Sequence, residues 1–395
     1  MKLLTVLVAT TLLAVTLAAP ARGQLIIDPL MAQFLAQEPL ASPALVKARQ
    51  HFFGPENVNP KTGRVNPDKV VLSWFSVSSL AAALRGHVVL LDTYIDSREN
   101  YPNRVPTTLD ELVALQPEFI FIGHGHFDHA DTAGYIAAVT GTTVVGTPEH
   151  CAQVQRDATN ALGPGATVNC VAVVSANSAP GSEVKELALL DNVCITAFKH
   201  LHSAAVAPDP SHPVNPPLLL PDPGTYLLHP PGPGPSDGVQ SAGNEGWSMF
   251  YQFRITDFAL SWHDTVGPLK ENAPQVFDVL RALAPTDVQV GAILGFNIFT
   301  NGLRDPAMYI AAVEPKIFAP LHHDFRFVTP EASGDDWKAT MDRELVTMSP
   351  DRRPELRWLY DPFDYLRPGL MTFDVKAPYW KTGDVAGRAP ETCKR

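Results

Sequence analysis

The chain has 395 residues, 45% of them hydrophobic and 18% charged, and a formal net charge of −11. This is ordinary globular composition with ample apolar material for a core, either as two or three domains or as one body with extensions. The acidic balance leaves no electrostatic footprint for nucleic acid or an anionic membrane.

Lys2 precedes an apolar run from Leu3 to Ala19, and Ala19-Pro20-Ala21 supplies an A-x-A pattern. Residues 1–23 therefore read as a secretory signal peptide cleaved near Ala21 to Gly23. The run is marginally short for a spanning helix. The expectation is a secreted or periplasmic protein without stable membrane insertion after cleavage. Residues 24–64 read as an N-terminal extension with a helix over Pro43 to Phe52. Lys69 to Ser76 and His87 to Asp92 read as strands, the second ending on a carboxylate that could orient a neighbouring ligand. Thr108 and Glu111 form a capping box for a helix that Pro117 stops.

The apolar run Phe119 to Ile122 reads as a short buried strand, followed at once by His124, His126, Asp128 and His129. Four metal-capable side chains in six residues are hard to explain by packing, and imidazole and carboxylate suit zinc, manganese or iron. In an extended segment, alternate residues point the same way, so His124 and His126 can grip one ion while Asp128 and His129 reach a second. Ala130 to Val139 reads as one helix, and Pro148 to Arg156 as another. Thr142 to Val145, Thr167 to Val174 and Val193 to Phe198 read as strands. The last leads into His200 and His202.

The stretch 206–243 is proline-rich and reads as an extended insert, either a solvated loop or a lid. Ser248 to Ile255 and Phe258 to Trp262 form a hairpin that ends in His263-Asp264. Gln275 to Leu283 and Asp305 to Val313 read as helices, and Val288 to Leu294 and Lys316 to Ala319 as strands. The last strand leads into Pro320-Leu321-His322-His323, and helix returns near Trp337 to Met348. The four cysteines fit an oxidising compartment and allow three pairings. A Cys151–Cys170 link would close a short loop and leave Cys194 to hold the tail through Cys393.

His124, His126, Asp128 and His129 make the H-x-H-x-D-H pattern, followed in order by His202, Asp264 and a P-x-H ending at His322. In these motifs residues 65–330 resemble the metallo-β-lactamase superfamily, and the ending is similar to its lactonase and phospholipase D-like branches. His263 stands where that family usually has glycine, and His200 and His323 remain alternatives to His202 and His322. The resemblance implies a four-layer αββα sandwich, with residues 331–395 as a C-terminal extension. It implies two divalent ions, zinc foremost with manganese or iron as alternatives. His124, His126 and His202 would hold one, Asp128, His129 and His322 the other, and Asp264 would bridge them. A metal-bridging hydroxide would attack a small-molecule phosphodiester or lactone/ester substrate, with Asp128 as proton shuttle. The alternatives are a mononuclear iron oxidoreductase similar to the sulfur dioxygenases, or a β-lactam hydrolase.

Overall fold

The structure is a computed structural model, and it describes residues 40–95, 107–176, 178–204, 209–212, 247–255, 257–293, 301–323, 330–359, 366 and 369–380. The expected signal peptide, Cys393 and most of the expected insert lie outside the described residues.

Helix α1 (Pro43–Phe53) starts at Ser42, whose side chain accepts the N–H of Leu45. Strands β1 (Lys69–Ser76), β2 (Ser79–Leu84) and β3 (His87–Leu91) form an antiparallel meander. Helix α2 (Leu109–Leu115) carries the expected Thr108/Glu111 capping box. β4 (Phe119–Phe121), β5 (Thr143–Gly146) and β6 (Asn169–Ala172) then extend the sheet in parallel. Between them lie α3 (Phe127–Ala130), α4 (Ala133–Thr140) and α5 (Pro148–Leu162).

The second sheet repeats this plan. β7 (Val184–Leu190), β8 (Val193–His200), β9 (Ser248–Ile255) and β10 (Phe258–His263) are antiparallel neighbours, and β11 (Val288–Ala292) and β12 (Ile317–Leu321) follow in parallel. Helices α6 (Leu269–Asn272), α7 (Gln275–Ala282) and α8 (Arg304–Val313) lie between these strands in the chain, and α9 (Pro330–Leu345) follows β12. The short strands β13 (Glu355–Leu356) and β14 (Thr372–Asp374) pair with β12 and β1. Among the described residues this makes two seven-stranded sheets.

Period-two alternation explains the layering. In β1, Val70, Leu72 and Trp74 face the space between the sheets, where they join Tyr251, Phe253, Leu260 and Trp262. Val71 and Phe75 point the other way, into a second core with Phe52 and Phe53 of α1, Leu112 of α2, Ile136 of α4 and Val154 of α5. The outer face of the second sheet packs Phe198 and Phe250 against Val276, Leu280 and Tyr309 of α7 and α8. The result is the four-layer αββα sandwich that the sequence motifs imply.

One local expectation changes. The helix expected over Ala130 to Val139 is broken: α3 ends at Ala130, Thr132 takes left-handed backbone (φ 70°), and α4 starts afresh. The reason is a pin, since Thr93 bonds the backbone of His129 and Asp131 while Thr132 Oγ1 donates to the Thr93 carbonyl. Ser79–Leu84 is a strand that its alanine-rich run does not announce. Residues beyond 330 include β13 and β14, which each add an edge strand. Cys151 and Cys170 are disulfide-bonded. Cys194 is disulfide-bonded as well. No described helix is long and apolar enough to cross a membrane.

Candidate metal centre

The sheets bring five strand ends to one edge of the sandwich. Asp92 follows β3, Gly123 to His129 follow β4, His202 follows β8, Asp264 follows β10 and His322 follows β12. Two of these residues sit in strained backbone. Asp92 has φ 53° and His322 φ 65°, left-handed conformations that cost a non-glycine residue about 1–3 kcal/mol and gather at functional sites. Each is held by the sheet: the Asp92 N–H donates to the Phe121 carbonyl, and the His322 N–H to the Val77 carbonyl.

The helix start explains how the first motif folds. His126 caps α3 with extended backbone (φ −65°, ψ 156°), and its carbonyl accepts from the N–H groups of His129 and Ala130. This turn puts Asp128 and His129 on α3, with the His129 ring 3.9 Å from that of His124. Gln153 of α5 clamps the loop by donating to the Gly125 carbonyl at 2.7 Å.

All seven expected ligands meet here. Ligand atoms of His124, His126 and His202 lie within 4.8 Å of one another, as do those of Asp128, His129 and His322, and those of His124, His129 and Asp264. His124 Nε2 faces His126 Nδ1 at 3.0 Å, and the His202 ring stands 4.7 Å from each of their rings. His202 Nδ1 is turned to the Ser203 carbonyl, 2.9 Å away. Asp128 lies between His129 Nε2 (3.7 Å) and His322 Nε2 (3.6 Å). Asp264 stands elsewhere: its Oδ2 is 2.6 Å from His124 Nδ1 and 3.3 Å from His129 Nδ1.

The alternatives His200 and His323 are drawn into other contacts. His200 Nδ1 is 2.9 Å from the Tyr309 hydroxyl, and His323 is wedged between Trp74 and Trp358. His263, in the position usually held by glycine, points away from the cluster: its Nδ1 is 2.9 Å from the Thr265 carbonyl and its Nε2 3.0 Å from Gln289. It fits because Gly291 has no side chain, since a Cβ there would lie 2.1 Å from His263 Nε2.

The orienting role expected of Asp92 has a geometric basis. Its Oδ2 is 2.9 Å from His129 Nδ1 and accepts from the Ser78 hydroxyl, and its Oδ1 accepts the Gly123 N–H at 2.9 Å. Ser78 and Gly123 are partners that sequence reasoning missed. A serine in a turn and a glycine beside a histidine motif carry no distinguishing signal.

Electrostatics prepares the histidines to act as ligands. Burial, then the neighbouring imidazoles, holds His124 and His129 well below the ordinary value, and His126 likewise. Burial takes His202 and His322 down to about 4. All are neutral at pH 7, with lone pairs free to bind a cation. Asp92 is pushed up to about 8 by burial, and Asp264 is raised by burial and by Asp92. A buried pair of carboxylates beside five neutral imidazoles is a donor set that divalent cations would satisfy.

A pH dependence follows for the metal-free chain. His200, His263 and His323 are also held low by burial, giving with the five above eight neutral histidines, all buried except the half-buried His202. Unfolding below pH 6.5 lets them take up protons, so the stability present above pH 6.5 is lost as pH falls toward 4. Asp92 and Asp264 act in the opposite sense, but two carboxylates oppose eight histidines. The urea midpoint of the chelated protein is expected to fall steeply between pH 6.5 and 4. A flat midpoint would show that these histidines are not buried neutral.

No family model matches the chain. A UPF0173 metal-dependent hydrolase of Pyrobaculum neutrophilum is 32% identical over 78 residues, which is 20% of this chain and 32% of that protein. The chain thus spans about a third of the length of the curated relative it matches. Igni18, a metallo hydrolase from Ignicoccus hospitalis, superposes with a TM-score of 0.45 at 13% identity, over 74% of this chain and 96% of that one. CmlA, a diiron β-hydroxylase from Streptomyces venezuelae, superposes with a TM-score of 0.42 at 12% identity, over 75% and 54%.

Proposed function

We propose that this chain is an exported metal-dependent hydrolase of the metallo-β-lactamase superfamily. One ion is held by His124, His126 and His202, and a second by Asp128, His129 and His322. The observation that carries the reading is the donor geometry: two triads, each with its ligand atoms within 4.8 Å, adjoin in one largely buried cluster. Export rests on the leader-like segment 1–23, and the Cys151–Cys170 disulfide agrees with an oxidising compartment.

When bound, two divalent ions lower the pKa of water and polarise the carbonyl or phosphoryl oxygen under attack. The chain's own residues do the rest. His202 is fixed through its Nδ1 by the Ser203 carbonyl, so its Nε2 is free to ligate. Asp92 and Ser78 fix the His129 ring. Phe127, next to Asp128 in the chain, packs in a buried apolar cluster with Val77 and Tyr94. Asp128 has the more exposed side chain of the two expected carboxylate ligands, 12% against 0% for Asp264, so it can pass a proton to the leaving group.

Substrate classes consistent with this pocket are a lactone or ester and a phosphodiester. The test is hydrolysis of a lactone, an ester, a phosphodiester and a β-lactam by the mature zinc-loaded chain, with oxygen uptake measured in parallel on the iron-loaded chain. Chelator-sensitive hydrolysis of the first three classes supports the proposal. Oxygen uptake without hydrolysis would favour the oxidoreductase reading. On the substrate that turns over, Asp128→Asn is expected to lower kcat by about 10²–10⁴-fold, and an unchanged kcat would remove Asp128 from the proton path.

A further inference from the structure

We propose that helix α8 clamps the loop carrying His202 to the loop carrying Asp264, with Tyr309 and Arg304 as its positioning residues. Neither residue touches an ion. Together they hold His202 in place against His124 and His126. This inference rests on the two-ion reading above and deepens it.

The sheet alone does not bring these loops together. β9 lies between β8 and β10, so the two strands run about 10 Å apart, two strand spacings. The loops must therefore lean across the end of β9 and be held there. They do meet: a Cβ on Gly267 would lie 2.4 Å from the His202 carbonyl oxygen and 2.5 Å from Leu201 Cβ. The glycine admits this approach. The Ser203 N–H also donates to Thr265 Oγ1 at 3.4 Å.

Two side chains of α8 bridge the same pair of loops. Tyr309 is buried, and its hydroxyl lies 2.9 Å from His200 Nδ1. The backbone N–H groups of Leu201 and Gly267, one from each loop, face the same oxygen. A phenol has one proton to give and lone pairs to accept with. With N–H donors on the oxygen, its proton goes to His200 Nδ1, and one atom ties both loops to the end of β8. Arg304, also buried, makes the second bridge. Its guanidinium forks onto both Glu271 oxygens at 2.8 Å and reaches Asp209 at 2.5 Å. Asp209 lies downstream of His202 in the chain, and Glu271, in α6, downstream of Asp264. Forked pairing of this kind fixes orientation as well as distance. Asp128, His129 and His322 lie on neither loop, so the clamp serves the ion of His202.

The test isolates one ion at a time in the full chain. His322→Ala keeps the triad of His124, His126 and His202, and His126→Ala keeps that of Asp128, His129 and His322. Zinc affinity is measured by chelator competition in each background, with and without Tyr309→Phe, which removes one oxygen atom and keeps the ring. The expected result is a loss of about 10-fold in the His322→Ala background, the low end for groups that orient ligands, and no change in the His126→Ala background. Arg304→Lys keeps the charge but breaks the fork. It carries the same expectation, so the test stands if Tyr309→Phe does not fold. Equal losses in the two backgrounds would mark a merely structural role, and no loss in either would mean that the clamp holds nothing. Each of these results overturns this proposal and leaves the two-ion reading intact. Failure of either background to bind zinc would overturn the two-ion reading and this proposal with it.

Discussion

Stripping divalent metal from the mature chain is expected to abolish turnover and to lower Tm by roughly 10 °C. Each ion held at about 1,000 times its Kd stabilises the fold by about 4 kcal/mol, and two ions by about 8 kcal/mol. In a chain of this size, each kcal/mol shifts Tm by only about 1–2 °C, because unfolding entropy grows with length. The effect is nonetheless large, because chelation leaves His124, His126, Asp128, His129 and His322 buried with no cation beside them. Differential scanning calorimetry with and without chelator measures the shift, and zinc added back should restore both Tm and turnover. An unchanged Tm would mean that the triads hold nothing.

Gly123→Ala should be strongly damaging. The new Cβ would sit 1.9 Å from Asp264 Cγ and 2.1 Å from Oδ2, so either the carboxylate or the loop must move. The expected loss is about 3 kcal/mol, at the upper end for overpacking a tight site, and zinc affinity should fall with it. Gly165→Ala is the control. Nothing lies within 4 Å of its Cβ position, and its expected effect is within about 0.5 kcal/mol. Urea denaturation of both variants makes the comparison. Equal midpoints would show that Asp264 is not pressed against Gly123.

The parts of the centre legible in the sequence were those carried by residue type. His124, His126, Asp128 and His129 are chemically conspicuous at their spacing, and strand-end positions marked Asp92, His202, Asp264 and His322. Ring orientation was not legible. His124 Nδ1 is turned to Asp264, which is 140 residues away in sequence and close in space only because β4 and β10 belong to facing sheets. The sandwich could be read from apolar runs that alternate between two cores, as in β1. β2 escaped notice because Ala81, Ala82 and Ala83 favour helix locally, while pairing to both β1 and β3 makes them a central strand. The break at Asp131-Thr132 was hidden for a similar reason, since Thr93, which imposes it, lies on another strand end.

The count of zinc ions bound per chain, in wild type, His126→Ala and His322→Ala, tests the centre most directly. Two adjoining triads require two ions in wild type and one in each variant, since each substitution removes a ligand from a different triad. A wild type that binds none, or variants that still bind two, would contradict a dinuclear centre built from these residues.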